Sequence, residues 1–102
     1  MATVLMMIKS TVATAEEEAF NRWYDNDHIP QVMSYPGTVS ARRYKTLLSN
    51  DQYQYMALYE LDSEETFAAF QKSDHLAAMS AEYDSLFGNV IREPSSYVQI
   101  FP

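Results

Sequence analysis

The sequence predicts an α+β fold in which helices cover one face of a four-stranded antiparallel sheet. Two observations carry this prediction: the elements follow the order β, α, β, β, α, α, β, and helix-capping or turn residues separate them. This order is the split β-α-β, or ferredoxin-like, pattern. The predicted strands are residues 3–8, 38–48, 52–61 and 90–101, the last interrupted at Pro94. A chain of 102 residues holds one hydrophobic core, so we assign residues 1–102 to a single domain.

The first helix is predicted from residue 15 to about residue 29. Thr14 and Glu17 have the spacing of a capping box, in which each side chain satisfies an exposed backbone donor. The large side chains then fall on one buried stripe, which consists of Phe20, Trp23, Tyr24 and His28. Pro30 lacks a backbone donor and disfavours helical geometry at the residue before it. We therefore expect the helix to end or kink directly after His28.

Turn residues delimit the second strand, whose two faces carry different side chains. Tyr-Pro-Gly at residues 35–37 precedes it, and Ser-Asn-Asp at residues 49–51 predicts a hairpin to the third strand. Successive side chains of a strand point to opposite faces. One face carries Ser40, Arg42, Tyr44 and Thr46, and the other carries Val39, Ala41, Arg43 and Lys45. The sequence does not decide which of these faces meets the helices.

Two further helices follow the third strand. Asp62 or Ser63 is expected to cap the first of them, and Ser73 marks the start of the second, which ends at Gly88. Their large apolar residues recur at helical spacing. These residues are Phe67 and Phe70, then Leu76, Met79, Tyr83, Leu86 and Phe87.

The first and third strands are apolar on both faces, although an antiparallel sheet usually leaves one face polar and wet. The ferredoxin-like order places these two strands side by side in the centre of the sheet. The first strand carries Val4, Met6 and Ile8 on one face and Leu5 and Met7 on the other, and the third carries Tyr53, Tyr55, Ala57, Tyr59 and Leu61 on one face and Met56 and Leu58 on the other. A second copy of the same sheet is the simplest cover for such a face, so the sequence predicts a two-fold homodimer packed sheet against sheet.

Composition excludes several classes of function. Fourteen acidic and seven basic residues give a net charge of −7, which argues against nucleic acid or an anionic membrane as a partner. No cysteine is present, so disulfides, thiolate metal sites and cysteine nucleophiles are excluded. The opening MATVLMMIKS lacks the charged start and cleavage site of a signal peptide, and no stretch has the length of a membrane span. These features predict a cytoplasmic protein.

Several other kinds of site find no support in the residue spacing. Two histidines far apart and scattered acids do not give a metal-ligand pattern, so no metal is expected. A Gly-x-Ser-x-Gly elbow is absent, and two glycines cannot form a glycine-rich phosphate loop. The acidic cluster at residues 16–18 reads as a solvated first turn of a helix.

The aromatic residues predict a pocket between the helices and the sheet. Eight tyrosines and five phenylalanines in a short chain suit an aromatic-lined cavity for a small apolar or aromatic ligand. A well-packed small core is the alternative explanation of the same composition. The expected lining residues are Phe20, Trp23, Tyr24, His28, Tyr55, Phe67, Phe70 and Tyr83.

His28 is the main candidate for chemistry in this pocket. An imidazole with an unperturbed pKa of about 6.5, flanked by Tyr24, Asp25 and Asp27, suits a general base. A core histidine with one hydrogen bond is the alternative. His75 lies in the first turn of a helix, at the positive end of its dipole, and is a second candidate, with a solvated histidine as its alternative.

The chain resembles the dimeric α/β-barrel superfamily, and within it the EthD-like branch. The resemblance spans nearly the whole chain. It rests on the N-terminal apolar strand, the helix that contains WYDNDHIP (residues 23–30), and the turn PG followed by SARRY (residues 40–44) in the second strand. The third strand YMALYEL (residues 55–61) with its acidic cap, and the helix that starts with SDH (residues 73–75), complete it. The resemblance implies a homodimer and a pocket in which a histidine or tyrosine transfers protons. The small haem degraders of this superfamily carry an asparagine, tryptophan and histidine arrangement that is absent here, so neither haem nor another cofactor is expected.

Two hypotheses follow from different classes of function. In the first, a cofactor-independent enzyme acts on a small cyclic, aromatic or polyketide-like metabolite by isomerisation, cyclisation, dehydration or decarboxylation, with monooxygenation as a variant. His28 takes a proton from the substrate, and Asp25 or Asp27 orients the imidazole ring. Tyr24 or Tyr44 donates a hydrogen bond to the developing oxyanion. Trp23 forms an apolar wall of the pocket, and Arg43 holds a carboxylate of the substrate. In the second, a non-catalytic accessory dimer binds a hydrophobic intermediate.

Overall fold

The computed structural model describes residues 2–102 and contains a four-stranded antiparallel sheet in the order β2-β3-β1-β4. The strands are β1 (Val4–Thr11), β2 (Thr38–Lys45), β3 (Tyr55–Leu61) and β4 (Ile91–Val98). The helices are α1 (Glu17–Trp23), a π-helical segment (Tyr24–His28), α2 (Ile29–Met33), α3 (Glu64–Gln71) and α4 (Asp74–Phe87). This architecture confirms the predicted ferredoxin-like α+β fold, with β1 and β3 in the centre of the sheet.

Pro30 does not end the first helix, so the predicted end after His28 is wrong, although the helix changes there from π to α geometry. The chain continues from α1 through the π-helical segment into α2, and Ile29 keeps helical angles (φ −57°, ψ −49°). The Ile29 N–H donates to the carbonyl of Tyr24, five residues earlier, which is the hydrogen-bond spacing of a π-helix. The wider turn makes room for the ring of Pro30, which lies in the first turn of α2 where a missing donor is tolerated. Such turns recur at functional sites, and this one contains His28.

The predicted capping box at the start of α1 does not form. Thr14 lies in a short 3-10 turn, and no side chain caps either this turn or α1. The carboxylate of Glu17 instead accepts a hydrogen bond from the hydroxyl of Tyr55 on β3. The residue expected to cap the helix therefore ties the helix to the sheet.

The turns and the remaining caps follow the sequence closely. Gly37 has φ 95°, and a Cβ there would lie 2.5 Å from Cγ2 of Thr66, so both the backbone and the space require glycine. Ser63 and Ser73 accept backbone hydrogen bonds at the starts of α3 and α4, as predicted. The β2–β3 connection at residues 46–54 is longer than the tight turn expected.

The two faces of the sheet differ in their cover. On the helix-facing side, β3 contributes four buried residues, Tyr55, Ala57, Tyr59 and Leu61. The opposite face, which we call the open face, carries Leu5, Met7, Tyr44, Met56, Leu58 and Tyr97. Leu5, Tyr44 and Tyr97 are each more than one third exposed. Within residues 2–102, none of the helices combines the length and the apolar character that crossing a membrane requires.

Candidate functional site

A cavity of about 250 Å³ lies between the helices and the helix-facing side of the sheet. Its volume is below the roughly 300–1,000 Å³ of sites for drug-sized ligands, so it suits a compact molecule. Exposed Gln71 and Pro94 mark its mouth, between α3 and the edge strand β4. The polar and aromatic lining residues are Tyr24, His28, Tyr59, Phe70, Gln71, Ser80, Tyr83 and Arg92, and the remainder of the lining is Met6, Ile8, Val32, Leu76, Met79 and Pro94.

His28 lies in the wall of this cavity and is only 8% exposed. Its ring stacks on Trp23, with centroids 4.7 Å apart and planes inclined by 24°. Tyr24 and Tyr83 meet the imidazole edge to face, at centroid distances of 4.8 Å and 5.5 Å. The π-helical segment and α1 thus hold the imidazole inside an aromatic enclosure, as the inward-facing stripe predicted.

The surroundings of His28 keep its ring neutral. Burial lowers the pKa of His28 from 6.5 to about 4, and the positive charges of Arg92 and Arg43 act in the same direction. Glu82 opposes them and favours the protonated ring. At neutral pH the imidazole is therefore uncharged, and it becomes a strong proton acceptor only when a negative charge develops beside it.

By hydrogen-bond geometry, three buried polar atoms of the cavity-lining residues have no partner among residues 2–102. They are Nδ1 of His28 and the hydroxyl oxygens of Tyr59 and Tyr83. Buried polar atoms in folded proteins are nearly always paired, and each exception requires an explanation. Tyr24 and Arg92 lie close enough to the hydroxyls of Tyr59 and Tyr83, respectively, to act on their pKa values, but burial dominates and raises both, which keeps the phenols neutral and able to donate. The three atoms are themselves buried, so a ligand reaches them only where these side chains turn toward the cavity.

Asp25 and Asp27 do not orient His28, contrary to the sequence-based hypothesis. Both are exposed on the outer side of the π-helical segment, and neither forms a hydrogen bond with the imidazole. Asp25 pairs instead with Arg43, at 2.9 Å between Oδ1 and Nη1. Asp27 is adjacent to His28 and so points in a different direction, whereas Asp25, three residues before His28, lies in a π-helical segment and is held on the outer side by Arg43.

Neither Tyr44 nor Arg43 lines the cavity, which corrects two further assignments. Tyr44 pairs with Met56 on the open face, where the alternation of β2 directs it away from the helices. Arg43 does point toward the helices, but Asp25 and Asn21 each accept a 2.9 Å hydrogen bond from it. Its guanidinium also lies 4.4 Å from the ring centroid of Tyr24. Arg43 is thus engaged by the protein itself.

Four of the expected aromatic lining residues belong to the packed core instead. Phe20 is fully buried, and Phe67 is half-buried against the core. The Tyr55 hydroxyl donates a hydrogen bond to Glu17 and accepts one from Asn21. Trp23 lies behind His28 rather than on the cavity surface, and its Nε1 donates to Glu82 at 3.3 Å. Tyr24, His28, Phe70 and Tyr83 are the predicted residues that the cavity brings together.

His75 lies outside the main cavity, in a shallower recess between α2 and α4. The recess is lined by Gln31, His75, Ala78, Met79 and Glu82. Nε2 of His75 is 2.6 Å from the carbonyl oxygen of Gln31, so this histidine fastens α4 to α2. Within residues 2–102, no three histidine, aspartate or glutamate side chains group as a metal ion would need.

Tyr59 and Arg92 line the cavity but were not among the lining residues expected from the sequence. The inward position of Tyr59 was detectable, because it shares a strand face with Tyr55 and Ala57. The position of Arg92 was not detectable, because it depends on the register of the edge strand, in which Arg92 pairs with Ser10 of β1.

Residues 3–98 match the model of a protein family described as a domain of unknown function, DUF4286. The chain belongs to this family. The family description assigns no activity to DUF4286, so the family alone does not state what the cavity holds. No functionally curated protein matches the sequence.

Solved structures with low sequence identity share the fold of this DUF4286 protein. An EthD-family protein from Bacillus halodurans C-125 is 17% identical, with a TM-score of 0.69 over 93% of this chain and 97% of that one. A dimeric ferredoxin-like protein of unknown function from Thermobifida fusca YX is 16% identical, with a TM-score of 0.63 over 96% and 92%. A candidate antibiotic biosynthesis monooxygenase from Nitrosomonas europaea is 19% identical, with a TM-score of 0.63 over 98% and 92%. These matches confirm the ferredoxin-like fold that the resemblance implied.

Proposed function

We propose that this protein is a cofactor-independent enzyme that binds a small cyclic, aromatic or polyketide-like metabolite and transfers a proton through His28. One observation carries the proposal: the cavity is lined by a buried, neutral imidazole and by the side chains of Tyr59 and Tyr83, and all three side chains hold a buried polar atom without a hydrogen-bond partner by geometry. A core histidine would be expected to hold one hydrogen bond to the protein, and His28 has none among residues 2–102.

The proposed step begins with removal of a proton next to a carbonyl of the ligand. The neutral imidazole of His28 accepts this proton, and the electron pair moves onto the carbonyl oxygen as an enolate. The neutral hydroxyls of Tyr59 and Tyr83 are suitable donors to that oxygen. Because the enolate lies beside the new imidazolium, it offsets the burial that otherwise disfavours the charged ring. Isomerisation, cyclisation, dehydration and decarboxylation can each proceed through such an intermediate.

A second candidate function is non-catalytic binding of a hydrophobic intermediate. The low pKa of His28, about 4, favours this candidate because a weak base transfers protons poorly at neutral pH. In that case the imidazole and the tyrosine hydroxyls only hydrogen-bond the ligand. Turnover, rather than affinity, distinguishes the two functions.

Oxygen insertion into an electron-rich ring is a variant of the enzymatic proposal. It draws support from the fold shared with the candidate monooxygenase of Nitrosomonas europaea. Proton loss to His28 would make a ring hydroxyl or enol electron-rich enough to react with molecular oxygen. An oxygen electrode separates the variant from proton transfer alone, because only oxygen insertion consumes oxygen in step with the ligand.

The decisive experiment compares His28→Asn with His75→Asn. We expect His28→Asn to retain ligand binding and to reduce turnover by about 10²- to 10⁴-fold, the usual contribution of a general base. His75→Asn removes the other histidine, which lies outside the cavity, and should leave turnover within about twofold. Ligand binding without any turnover in the wild-type protein would favour the binding function, and equal turnover in both variants would exclude His28 as the general base. Far-ultraviolet circular dichroism and thermal unfolding verify that both variants are folded.

We also propose that two copies of this single domain, residues 1–102, pair through their open faces. The apolar residues of that face and the description of the Thermobifida fusca protein as dimeric support the proposal. Leu58 lies on β3 at the centre of the face. We expect Leu58→Glu to halve the mass measured by light scattering, whereas Ala77→Glu, on the exposed side of α4, should not change it.

A further inference from the structure

Arg92 is the only formally charged side chain among the residues that line the cavity. It lies on the edge strand β4, opposite Ser10, and points to the helix-facing side of the sheet. Its guanidinium carbon is 3.9 Å from the ring centroid of Tyr83, a cation–π contact. The wall of an otherwise uncharged cavity therefore carries one positive charge, held against Tyr83.

Arg92 also keeps hydrogen-bonding capacity that the protein does not use. A guanidinium has five N–H donors. Within residues 2–102, its one hydrogen-bond partner is Asp84, at 3.0 Å from Nη2, and the Asp84 side chain is 67% exposed. An exposed pair of this kind is weak and readily rearranged. A ligand can therefore compete with Asp84 or use the remaining donors.

Arg43 provides the internal comparison for this inference. Its side chain is 15% exposed, two of its nitrogen atoms donate to Asp25 and Asn21, and Tyr24 covers its face. The side chain of Arg92 is 29% exposed and borders an open cavity. The two arginines lie on the same side of the sheet, but only Arg92 can reach a ligand.

We propose that the cavity selects compact ring compounds that carry a carboxylate, and that Arg92 binds this carboxylate at the mouth. The inference rests on the proposed function, since it names the substrate class of the same cavity. A carboxylate matches the planar fork of a single guanidinium, whereas a phosphate dianion would call for a second cation that the lining does not offer. The ring of the ligand would lie deeper, among the side chains of Tyr24, His28, Tyr59 and Tyr83 that line the cavity.

The test uses 4-hydroxybenzoate and 4-hydroxybenzamide, which have nearly the same shape and differ in charge. Isothermal titration calorimetry at pH 7.5 should give tighter binding of the acid by about ten- to a hundredfold, the range of a charge-assisted hydrogen bond. Arg92→Gln should abolish this preference by weakening the acid alone, and Arg92→Lys should restore part of it. Arg22→Gln removes an equal charge from the exposed side of α1 and should leave the preference intact.

Asp84→Asn provides a second check that does not remove the arginine. Releasing Arg92 from Asp84 should leave the preference for the acid unchanged or larger. The proposal is overturned if wild-type protein binds the two probes equally, if it binds neither, or if Arg92→Gln keeps the preference. Equal binding of both probes with a strong His28→Asn effect on turnover would overturn the carboxylate assignment alone. Absence of binding by any ring compound would remove the proposed function as well.

Discussion

The layer between the helices and the sheet has two halves that use the same residue types in opposite ways. The closed half, beneath α1, contains Arg43 and Tyr55, whose polar atoms are bound by Asn21, Asp25 and Glu17. The cavity half, between α4 and β4, contains Arg92, His28, Tyr59 and Tyr83 around the cavity. Each half has an arginine over a tyrosine ring.

The difference between the halves lies in what satisfies the polar atoms. In the closed half, short hydrogen bonds to neighbouring side chains hold the helix on the sheet. In the cavity half, two tyrosine hydroxyls and one imidazole nitrogen have no hydrogen-bond partner by geometry. Residue type therefore does not separate structural from functional positions in this fold, whereas hydrogen-bond satisfaction does. Each half makes a different prediction for the same kind of substitution.

Replacement of the two arginines should give the largest difference in stability. Arg43→Ala removes two charge-assisted hydrogen bonds and a cation–π contact, so we expect the free energy of unfolding to fall by about 3 kcal/mol. Arg92→Ala breaks one exposed pair and the cation–π contact with Tyr83, so it should cost about 1 kcal/mol, less than Arg43→Ala. Urea unfolding followed by circular dichroism gives both values. Similar losses in both variants would remove the distinction between the halves.

The pH dependence of stability should report the burial of His28. The folded-state pKa of about 4 lies below the unfolded value of 6.5, so the unfolded chain binds the proton more tightly. This histidine therefore destabilises the fold as pH falls from 6.5 toward 4, by about 2 kcal/mol at pH 5. Urea unfolding of wild type and His28→Asn at pH 7.5 and pH 5 measures the effect. The wild-type protein should lose more stability than the variant by that amount, and parallel losses would show that the imidazole titrates normally.

Removal of single hydroxyl groups gives a smaller and more selective contrast. Tyr55→Phe deletes a hydroxyl bound to Glu17 and Asn21, and we expect it to cost about 1 kcal/mol. Tyr59→Phe deletes an unpartnered hydroxyl, so stability should be unchanged or slightly higher. Ligand affinity should respond in the opposite sense, with a decrease only in Tyr59→Phe. Thermal unfolding with and without ligand measures both properties, and a destabilised Tyr59→Phe would indicate that this hydroxyl already has a structural partner.

The fold was predictable because its signals are local. Ser63, Ser73 and Gly37 act through their own side chains or backbone angles, and they do so in the structure as the sequence indicated. Pro30 misled the prediction because a π-helical turn, which depends on the backbone of the preceding residues, accommodates it. The capping box at Thr14 failed because Glu17 finds a stronger partner on β3, which sequence spacing does not reveal.

The site was predictable only where one helix or strand decides it. The helical stripe correctly brought Tyr24 and His28 to the inner side of the first helix. The strand period required that Arg43 and Tyr44 face opposite ways, but not which of them faces inward. The position of Arg92 depends on strand register across the sheet, a long-range property without a local signal.

The fluorescence of Trp23 tests most directly whether the cavity half is a ligand site. This residue is the only tryptophan and stacks on His28, so a ligand in the cavity should change its emission. We would titrate a panel of small ring acids, phenols and lactones into three proteins: wild type, Ser80→Phe, which fills the cavity, and Ala77→Phe on the exposed side of α4. We expect saturable quenching by at least one compound in wild type and Ala77→Phe, and none in Ser80→Phe. Equal quenching in all three proteins, or none in wild type, would contradict it.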